Sequence, residues 1–237
     1  LQGHRRGVSA AAHDAAPLAA VLLDLDGTLA DTAGDLARAM DALRGELGLP
    51  PMAPGALRPY VSQGARGMLA QGLDLRPDDA RYVELRDRFL DIYAGCCAVE
   101  AQLFDGFSDV LATLRGRGLR VGIVTNKMER YAVPLLSALG VAPDADCLIT
   151  PDLLAKPKPD PEGVLLACSR LDIEPAQCVF VGDDRRDIEA GRAAGTRTAI
   201  AAWGYLPPGE DIHSWGADAV VAVPADLPAL CRRWGAP

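Results

Sequence analysis

The chain has little positive charge, and this shortage excludes several classes of partner. Its 24 Lys and Arg residues are outnumbered by 32 Asp and Glu residues, which gives a formal net charge of −8. Nucleic acids and anionic membrane surfaces both require basic patches on a protein, so we expect neither as a partner. An anionic small molecule remains possible as a substrate, but it would need a local cation or a metal ion.

Three further sequence features are absent. No apolar stretch approaches the length of a transmembrane helix, so no membrane span is expected. His and Cys do not cluster in metal-ligand spacing, which argues against zinc. The six cysteines contain no C-x-x-C pair and most lie in apolar segments. They are therefore interpreted as reduced structural cysteines of a cytoplasmic protein without a disulfide framework.

The length and the order of patterns indicate one α/β domain with a helical insertion. The 237 residues suffice for a sizeable domain plus a smaller inserted one. An apolar strand before residue 24 is followed by a helix over 32–46, and strand and helix alternate again from Phe104. Such alternation predicts a doubly wound, parallel, Rossmann-like sheet. The later predicted elements are helices 109–117, 130–139, 161–171 and 184–194, and strands 119–125, 147–150, 178–181, 197–201 and 219–221.

The segment between the first strand and Phe104 contains helical patterns and no strand-like run. We interpret it as an all-helical cap over 34–103, inserted into a core formed by 19–33 and 104–237. The hinges are expected near 29–35 and 102–106, and such a cap can close over the strand ends and exclude water. Residues 1–18 lack an initiator Met and an apolar signal core, and they are interpreted as a disordered leader or an expression remnant.

Asp24 and Asp26 follow the first predicted strand, and both precede the flexible Gly27. Residues two apart on a strand point to the same face, so the two carboxylates project together. Like charges in that arrangement repel unless a cation or substrate chemistry uses them. Ligands of open α/β sheets bind at the carboxyl ends of strands, which is where this pair lies. The alternative is a pair of solvated turn aspartates.

Two more predicted strands end in polar residues. Thr125 ends the strand 119–125 and Asn126 follows it; a hydroxyl and backbone N–H groups at a strand end can hold phosphate oxygens, although Thr125 could instead cap the next helix. Asp183 follows the strand 178–181, and Asp187 lies four residues later on the same predicted helix face. With the first pair, Asp183 would complete a hard-oxygen site suited to Mg²⁺. Asp184 is interpreted as a helix cap.

A proline-rich segment over 156–161 contains two K-P pairs. Proline stiffens the backbone, and a lysine held at its rigid end can neutralise paired carboxylates and a phosphate. Lys158 is the preferred candidate, because its K-P-x-P sequence leads directly into the next predicted helix; Lys156 is the rival. The alternative is that both lysines are simply exposed in a loop.

The motifs occur in the order D-x-D-G-T, T-N, K-P-x-P and G-D-D-x-x-D. In this order, and at predicted strand ends, they resemble the haloacid dehalogenase-like phosphohydrolases over 18–223. The leading D-x-D is similar to the phosphatase members rather than to the dehalogenases. The segments V-S-Q-G-A-R at 61–66 and L-F-D-G at 103–106 are among those that resemble the phosphoglycolate phosphatase branch, and within it the phosphatases of N-acetylmuramic acid 6-phosphate.

This resemblance implies a small phosphate monoester as substrate, either 2-phosphoglycolate or N-acetylmuramic acid 6-phosphate, and a monomer or homodimer. It implies that Asp24 attacks phosphorus to form an aspartyl-phosphate, and that Asp26 protonates the leaving alcohol and then activates water. It also implies a Mg²⁺ ion held by the Asp24 side chain, the Asp26 backbone carbonyl and Asp183.

The remaining roles implied by the resemblance belong to residues around the phosphate. Thr125 and Asn126 would hold phosphate oxygens, and Lys158 would pair with Asp24 and the phosphate. Asp187 would orient Lys158 or a metal-bound water.

Substrate choice is expected to come from the cap, and above all from the loop that contains Gln63, Gly64 and Arg66. Both candidate substrates carry a carboxylate, which an arginine can bind in bidentate fashion, so Arg66 is the candidate reader. The alternative is a surface arginine on a cap helix.

Three other functions are compatible with parts of this sequence pattern. A receiver-like phospho-signalling domain also has a doubly wound sheet and a phosphorylated Asp, but the inserted cap and the D-x-D-G-T order argue against it. A nucleotide-binding module is disfavoured because no G-x-G-x-x-G follows the first strand. A phosphomutase of the same superfamily stays open, since it would form the same aspartyl-phosphate.

Overall fold

The computed structural model describes residues 16–141 and 145–237. No helix in these ranges is both long enough and apolar enough to span a membrane. In chain order the strands and helices are β1 (Ala20–Leu23), β2 (Ala30–Asp31), α1 (Ala33–Glu46), α2 (Gly64–Leu73), α3 (Tyr82–Cys96), β3 (Gln102–Leu103), α4 (Phe107–Gly116), β4 (Arg120–Val124), α5 (Glu129–Ala138), β5 (Cys147–Ile149), α6 (Glu162–Leu171), β6 (Cys178–Gly182), α7 (Arg185–Ala194), β7 (Arg197–Ala201), β8 (Ala219–Val221) and α8 (Leu227–Arg233).

Six strands form one parallel sheet in the order β5-β4-β1-β6-β7-β8. Alternate residues of a strand face opposite sides of the sheet. Accordingly, Val21 and Leu23 of β1 pack with α4, α5 and α8, whereas Ala20 and Leu22 pack with α6 and α7. Burial on both faces explains why β1 is apolar throughout. The predicted doubly wound parallel fold is therefore confirmed.

Helices α1, α2 and α3 pack around a second hydrophobic core, to which Tyr131 and Tyr205 also contribute. Met40, Met68 and Phe89, one from each helix, are all completely buried in it. The apolar positions of α1 recur at helical spacing, and this places them on one face toward α2 and α3. A 3₁₀ helix over Arg58–Gln63 leads into α2 and turns the chain back toward the sheet.

Two chain segments connect the sheet to the helical insertion, and these two segments form hydrogen bonds with each other. β2 and β3 form a two-stranded antiparallel ribbon in which Ala30 lies opposite Leu103 and Asp31 opposite Gln102. The sequence patterns contain no sign of this ribbon, because each strand is only two residues long. The domain boundaries at 34 and 103 stay a prediction, and the ribbon lies within the two predicted hinges.

The N-terminal prediction needs one correction. Leu18 was assigned to the disordered leader, yet its side chain is buried in the core, and its backbone N–H donates to the carbonyl oxygen of Trp234. The apolar side chain finds a site beside α8, a helix that the sequence patterns did not predict. Ala16 is also described, and its carbonyl oxygen accepts from Nη2 of Arg197 at 2.9 Å. The part of the leader prediction over 1–15 lies outside the described residues.

Candidate active site

The predicted site residues meet at the carboxyl edge of the sheet. β1 lies between β4 and β6, so Asp24, Thr125 and Asp183 follow three neighbouring strands. All three side chains are buried. Gly27 makes this approach possible: its φ is +85°, and a side chain at this position would collide with the carboxylate of Asp183.

Lys158 lies at the centre of this cluster. Its Nζ is 2.7 Å from Oδ1 of Asp24 and 2.6 Å from Oδ1 of Asp187, and it also donates to the carbonyl oxygen of Val124 at 3.0 Å. The Lys156 side chain is 74% exposed and only approaches Asp160. The structure thus places Lys158, and not its rival, against the predicted nucleophile.

Asn126 fixes the backbone of Lys158. Its Oδ1 accepts from the Lys158 backbone N–H at 3.0 Å, and its Nδ2 donates to the Lys158 carbonyl oxygen at 3.1 Å. Thr125 accepts from the backbone N–H of Lys127. Both residues line the cavity above Asp24. These two bonds leave the second amide N–H and the backbone N–H of Asn126 as the donors that could contact a phosphate.

Burial and crowding of carboxylates shift the pKa values in this cluster. Burial raises the pKa of Asp183 well above its usual range, and the neighbouring Asp24 and Asp187 add to the effect. Burial also raises the pKa of Asp187 to about 7, although Lys158 opposes this. Burial alone would lower the pKa of Lys158, but Asp187 and Asp24 outweigh it and hold the ammonium protonated. Keeping these buried carboxylates ionised therefore costs free energy of folding unless a further cation is bound.

The donor set fits a hard metal ion. One carboxylate oxygen from each of Asp24, Asp183 and Asp187 lies within 4.8 Å of the others. The cavity edge brings together five carboxyl groups and three cationic side chains, so two negative charges are uncompensated when every carboxyl group is ionised. A divalent cation would neutralise them, and oxygen-only ligands are what such hard cations prefer. The cluster could thus hold a metal ion.

The Asp26 carboxylate points away from this cluster. It accepts from Oγ1 of Thr32 at 2.6 Å and from Nζ of Lys127 at 2.9 Å. Its side chain therefore lies outside the cluster of Asp24, Asp183 and Asp187, and only its backbone carbonyl remains for the predicted metal role. Lys127 was not assigned a role from the sequence. Its position directly after Thr125 and Asn126 at a strand end was the available signal.

The turn from β6 into α7 differs in one detail from the sequence prediction. Asp184 is the N-cap of α7, as expected: its side chain accepts from the backbone N–H of Arg186, and Asp187 accepts from the Asp184 N–H. Asp183 precedes the helix and does not share a helix face with Asp187. The two carboxylates meet because the strand end and the first helical turn fold back on each other.

A cavity of about 400 Å³ opens above Asp24, between the sheet edge and the helical cap. Gln63 and Gly64 line it, as predicted. Arg66 is exposed on α2 and is not among the lining residues. Its predicted role in substrate binding stays a prediction. Arg186, which no sequence pattern singled out, does line the cavity.

One wall of the cavity is apolar and comes mainly from the cap and α5. The polar wall carries Asp24, Asp26, Thr125 and Lys158, and is formed by the sheet edge. The apolar lining residues are Leu36, Val61, Phe89, Leu90, Tyr93, Met128 and Tyr131. The cavity can therefore hold a charged group at one end and an apolar group at the other.

The fold is a doubly wound sheet, and its strand ends present a cluster of buried carboxylates and a lysine beneath a helical cap. This combination is typical of hydrolases that act on phosphate esters. The comparison with protein families agrees. The family model for haloacid dehalogenase-like hydrolases matches residues 18–195, and the chain belongs to this family.

Relatives and solved structures support the same assignment. The chain is 46% identical over 210 residues to an N-acetylmuramic acid 6-phosphate phosphatase of Pseudomonas aeruginosa, which covers 89% of this chain and 93% of that protein. It is 44% identical over 208 residues to a phosphoglycolate phosphatase of Xanthomonas campestris, covering 88% and 94%. A haloacid dehalogenase-like hydrolase from Streptococcus pneumoniae superposes with a TM-score of 0.77 at 23% identity, covering 90% and 98%, which shows the shared fold. The protein is a phosphatase, a phosphoric monoester hydrolase.

Proposed function

We propose that the protein hydrolyses the phosphate monoester of a sugar-sized alcohol, with Mg²⁺ as cofactor and Asp24 as nucleophile. The Asp24 carboxylate faces the cavity and is held by Lys158 at 2.7 Å. Attack on phosphorus would form an aspartyl-phosphate, and Lys158 would balance the negative charge that accumulates there. Thr125 and the backbone N–H of Asn126 would bind the phosphate oxygens.

Asp26 is the proposed general acid and base. Its carboxylate lines the same cavity as Asp24, and its contacts with Thr32 and Lys127 fix its orientation. It would protonate the leaving alcohol and later take a proton from the water that hydrolyses the intermediate. The Asp24 and Asp183 side chains and the Asp26 carbonyl oxygen would hold Mg²⁺, which supplies charge neutralisation for the transferred phosphoryl group. Asp187 would hold Lys158 in place, 2.6 Å away.

The apolar wall of the cavity favours N-acetylmuramic acid 6-phosphate as the substrate. 2-Phosphoglycolate has a single methylene and would leave this wall without a partner. N-acetylmuramic acid 6-phosphate has an acetyl and a lactyl methyl group, which could cover Leu90 and Tyr131. The name of the Pseudomonas relative points the same way. The phosphatase names of the relatives also favour hydrolysis over a mutase reaction, and the free reduced cysteines favour a cytoplasmic location.

The direct test is phosphate release from N-acetylmuramic acid 6-phosphate, 2-phosphoglycolate and glucose 6-phosphate, with Mg²⁺ and with EDTA. We expect Mg²⁺-dependent release and a preference for the muramic acid ester, with no release by Asp24→Asn. A preference for 2-phosphoglycolate would contradict the substrate assignment. Release that persists in EDTA would contradict the metal assignment.

A matched pair of cap variants tests the apolar wall. Leu90 lines the cavity, whereas Val83 lies on the same helix, is 58% exposed and does not. Leu90→Asn should lower kcat/KM for the muramic acid ester about tenfold, with a smaller effect on 2-phosphoglycolate. Val83→Asn should change neither value. Equal losses for both substrates in Leu90→Asn would show that the wall does not select the apolar groups.

A further inference from the structure

Ser62 of the cap is bound to the catalytic core at two of its atoms. Its Oγ donates a hydrogen bond to Oδ2 of Asp183 at 3.0 Å, and its carbonyl oxygen accepts from Nη2 of Arg186 at 2.5 Å. Asp183 and Arg186 belong to the turn that joins β6 to α7. A single residue of the 3₁₀ helix thus connects the cap to the turn that carries the proposed metal ligand.

The hydrogen-bond donors to the Asp183 carboxylate come from both sides of the cavity. Thr28 donates through Oγ1 to Oδ1 at 3.0 Å, and the backbone N–H of Tyr205 donates to Oδ2 at 2.8 Å; both belong to the core. Ser62 is the donor from the cap. If the cap were undocked, Asp183 would keep its two core donors and lose the third.

Arg186 makes the cap contact rigid. Its Nε and Nη2 form a bidentate pair with the Asp184 carboxylate at 2.8 and 2.9 Å, and Asp184 is itself the N-cap of α7. The guanidinium is therefore held in one orientation before it reaches the Ser62 carbonyl. At the other end of the same 3₁₀ helix, Arg58 pairs with Asp31 of the ribbon at 2.8 Å. Both ends of this segment are fixed to the core.

We propose that Ser62 is a positioning residue that couples docking of the cap to metal binding at Asp183. The hydroxyl orients the carboxylate from the cap side, so the ligand reaches its full set of hydrogen bonds only when the cap is docked. Gln63, Gly64 and Ala65 follow directly and line the cavity. The contact between Ser62 and Asp183 therefore orients the metal ligand and also positions these three cavity-lining residues.

Thermodynamic linkage makes this coupling between cap docking and metal binding reciprocal. If docking of the cap strengthens metal binding, then metal binding must favour the docked cap by the same factor. Partners that hydrogen-bond to a metal ligand commonly change metal affinity by about 10–100-fold. The inference rests on the proposed role of Asp183 as a ligand of Mg²⁺, but it does not depend on which ester is hydrolysed.

Ser62→Ala and Thr28→Val form a matched pair for the test, because each removes one hydroxyl that lies 3.0 Å from Asp183. Mg²⁺ affinity is measured by isothermal titration calorimetry, and docking of the cap by hydrogen–deuterium exchange of residues 58–65 with and without Mg²⁺. Neither readout needs a substrate. Ser62→Thr retains the hydroxyl, and circular dichroism checks that each variant is folded.

For the wild type we expect Mg²⁺ to slow exchange over 58–65. Ser62→Ala should bind Mg²⁺ about tenfold more weakly and lose most of this Mg²⁺-dependent protection, and Ser62→Thr should recover both. Thr28→Val should weaken Mg²⁺ binding but keep the protection. Wild-type affinity and protection in Ser62→Ala would overturn the proposal, as would equal loss of protection in both variants. If no tested ester is hydrolysed while these binding results hold, the proposed substrate fails and the coupling stands.

Discussion

The ammonium group of Lys127 lies 2.9 Å from Oδ1 and 3.2 Å from Oδ2 of Asp26. The Lys127 side chain is only 6% exposed and that of Asp26 17%, so the pair is largely shielded from water. The Lys127 Nζ also lies 4.9 Å from the ring centre of Tyr93, a residue of the cap. The proposed acid–base residue is thus held by a cation that contacts both core and cap.

The first prediction concerns this pair. Lys127→Met should lower kcat about 100-fold for an alkyl phosphate, because a misplaced general acid protonates the leaving alcohol poorly. The same variant should lose much less activity with p-nitrophenyl phosphate, whose leaving group needs no protonation. Steady-state kinetics with both substrates measure the difference. Lys127→Arg retains the charge and should recover part of the loss; equal losses on both substrates would show that Lys127 does not act through Asp26.

The second prediction concerns Lys158. Lys158→Met leaves Asp24 and Asp187 buried without their shared cation, and breaking a buried ion pair in this way costs about 3–5 kcal/mol. The free energy of unfolding, measured with guanidinium chloride in EDTA at pH 7.5, should fall by that amount. Lys156→Met is the control: Lys156 lies two residues earlier in the same proline-rich segment, its side chain is 74% exposed, and its replacement should leave the free energy of unfolding unchanged. A loss below about 1 kcal/mol in Lys158→Met would contradict this account.

The sheet could be predicted because its strands carry strong local signals. Three of the four motifs follow an apolar run, and parallel strands bring their carboxyl ends to one edge, so Asp24, Thr125 and Asp183 could be placed together from the sequence. The preference for Lys158 over Lys156 came from its position before a helix. The buried ion pair with Asp24 agrees with that preference.

The contacts between cap and core could not be predicted in the same way. Ser62 and Arg186 are 124 residues apart, and their hydrogen bond depends on how the helical insertion packs against the sheet. No periodicity or spacing within either segment encodes that docking. Arg66 is the candidate from the sequence because it lies in the cap loop and an arginine can bind the substrate carboxylate. In the structure the helix places its neighbour Ala65 on the cavity wall and leaves Arg66 exposed.

The third prediction tests Arg66. If its guanidinium reaches the substrate carboxylate at the cavity mouth, Arg66→Ala should raise KM for the two acidic esters about tenfold and leave KM for glucose 6-phosphate unchanged. Arg76→Ala, an exposed arginine of the cap that does not line the cavity, is the control and should change none of the three values. The same KM shift for acidic and neutral esters would exclude carboxylate recognition by Arg66.

The fourth prediction concerns pH and the metal-free protein. Burial raises the pKa of Asp183 well above 3.8, and it raises that of Asp187 to about 7. Between pH 4 and 7 the folded protein therefore holds protons that the unfolded chain has released. Linkage then requires stability to fall as pH rises. The stabilising contribution is fully present below the unfolded pKa of 3.8 and is lost as pH rises through about 7.

Asp183→Asn separates this effect from other titrating groups, because it removes one of the crowded carboxylates without changing the side-chain shape. In EDTA at pH 8 the variant should melt higher than the wild type, by about 2–4 °C for each kcal/mol of relieved strain, and the difference should shrink toward pH 5. Saturating Mg²⁺ should reverse the order, since the wild type gains the binding energy and the variant lacks a ligand. Differential scanning calorimetry over this pH range measures both. A variant that melts lower than the wild type in EDTA at pH 8 would show that the Asp183 carboxylate is stabilised by its three hydrogen-bond donors more than it is strained by its neighbours.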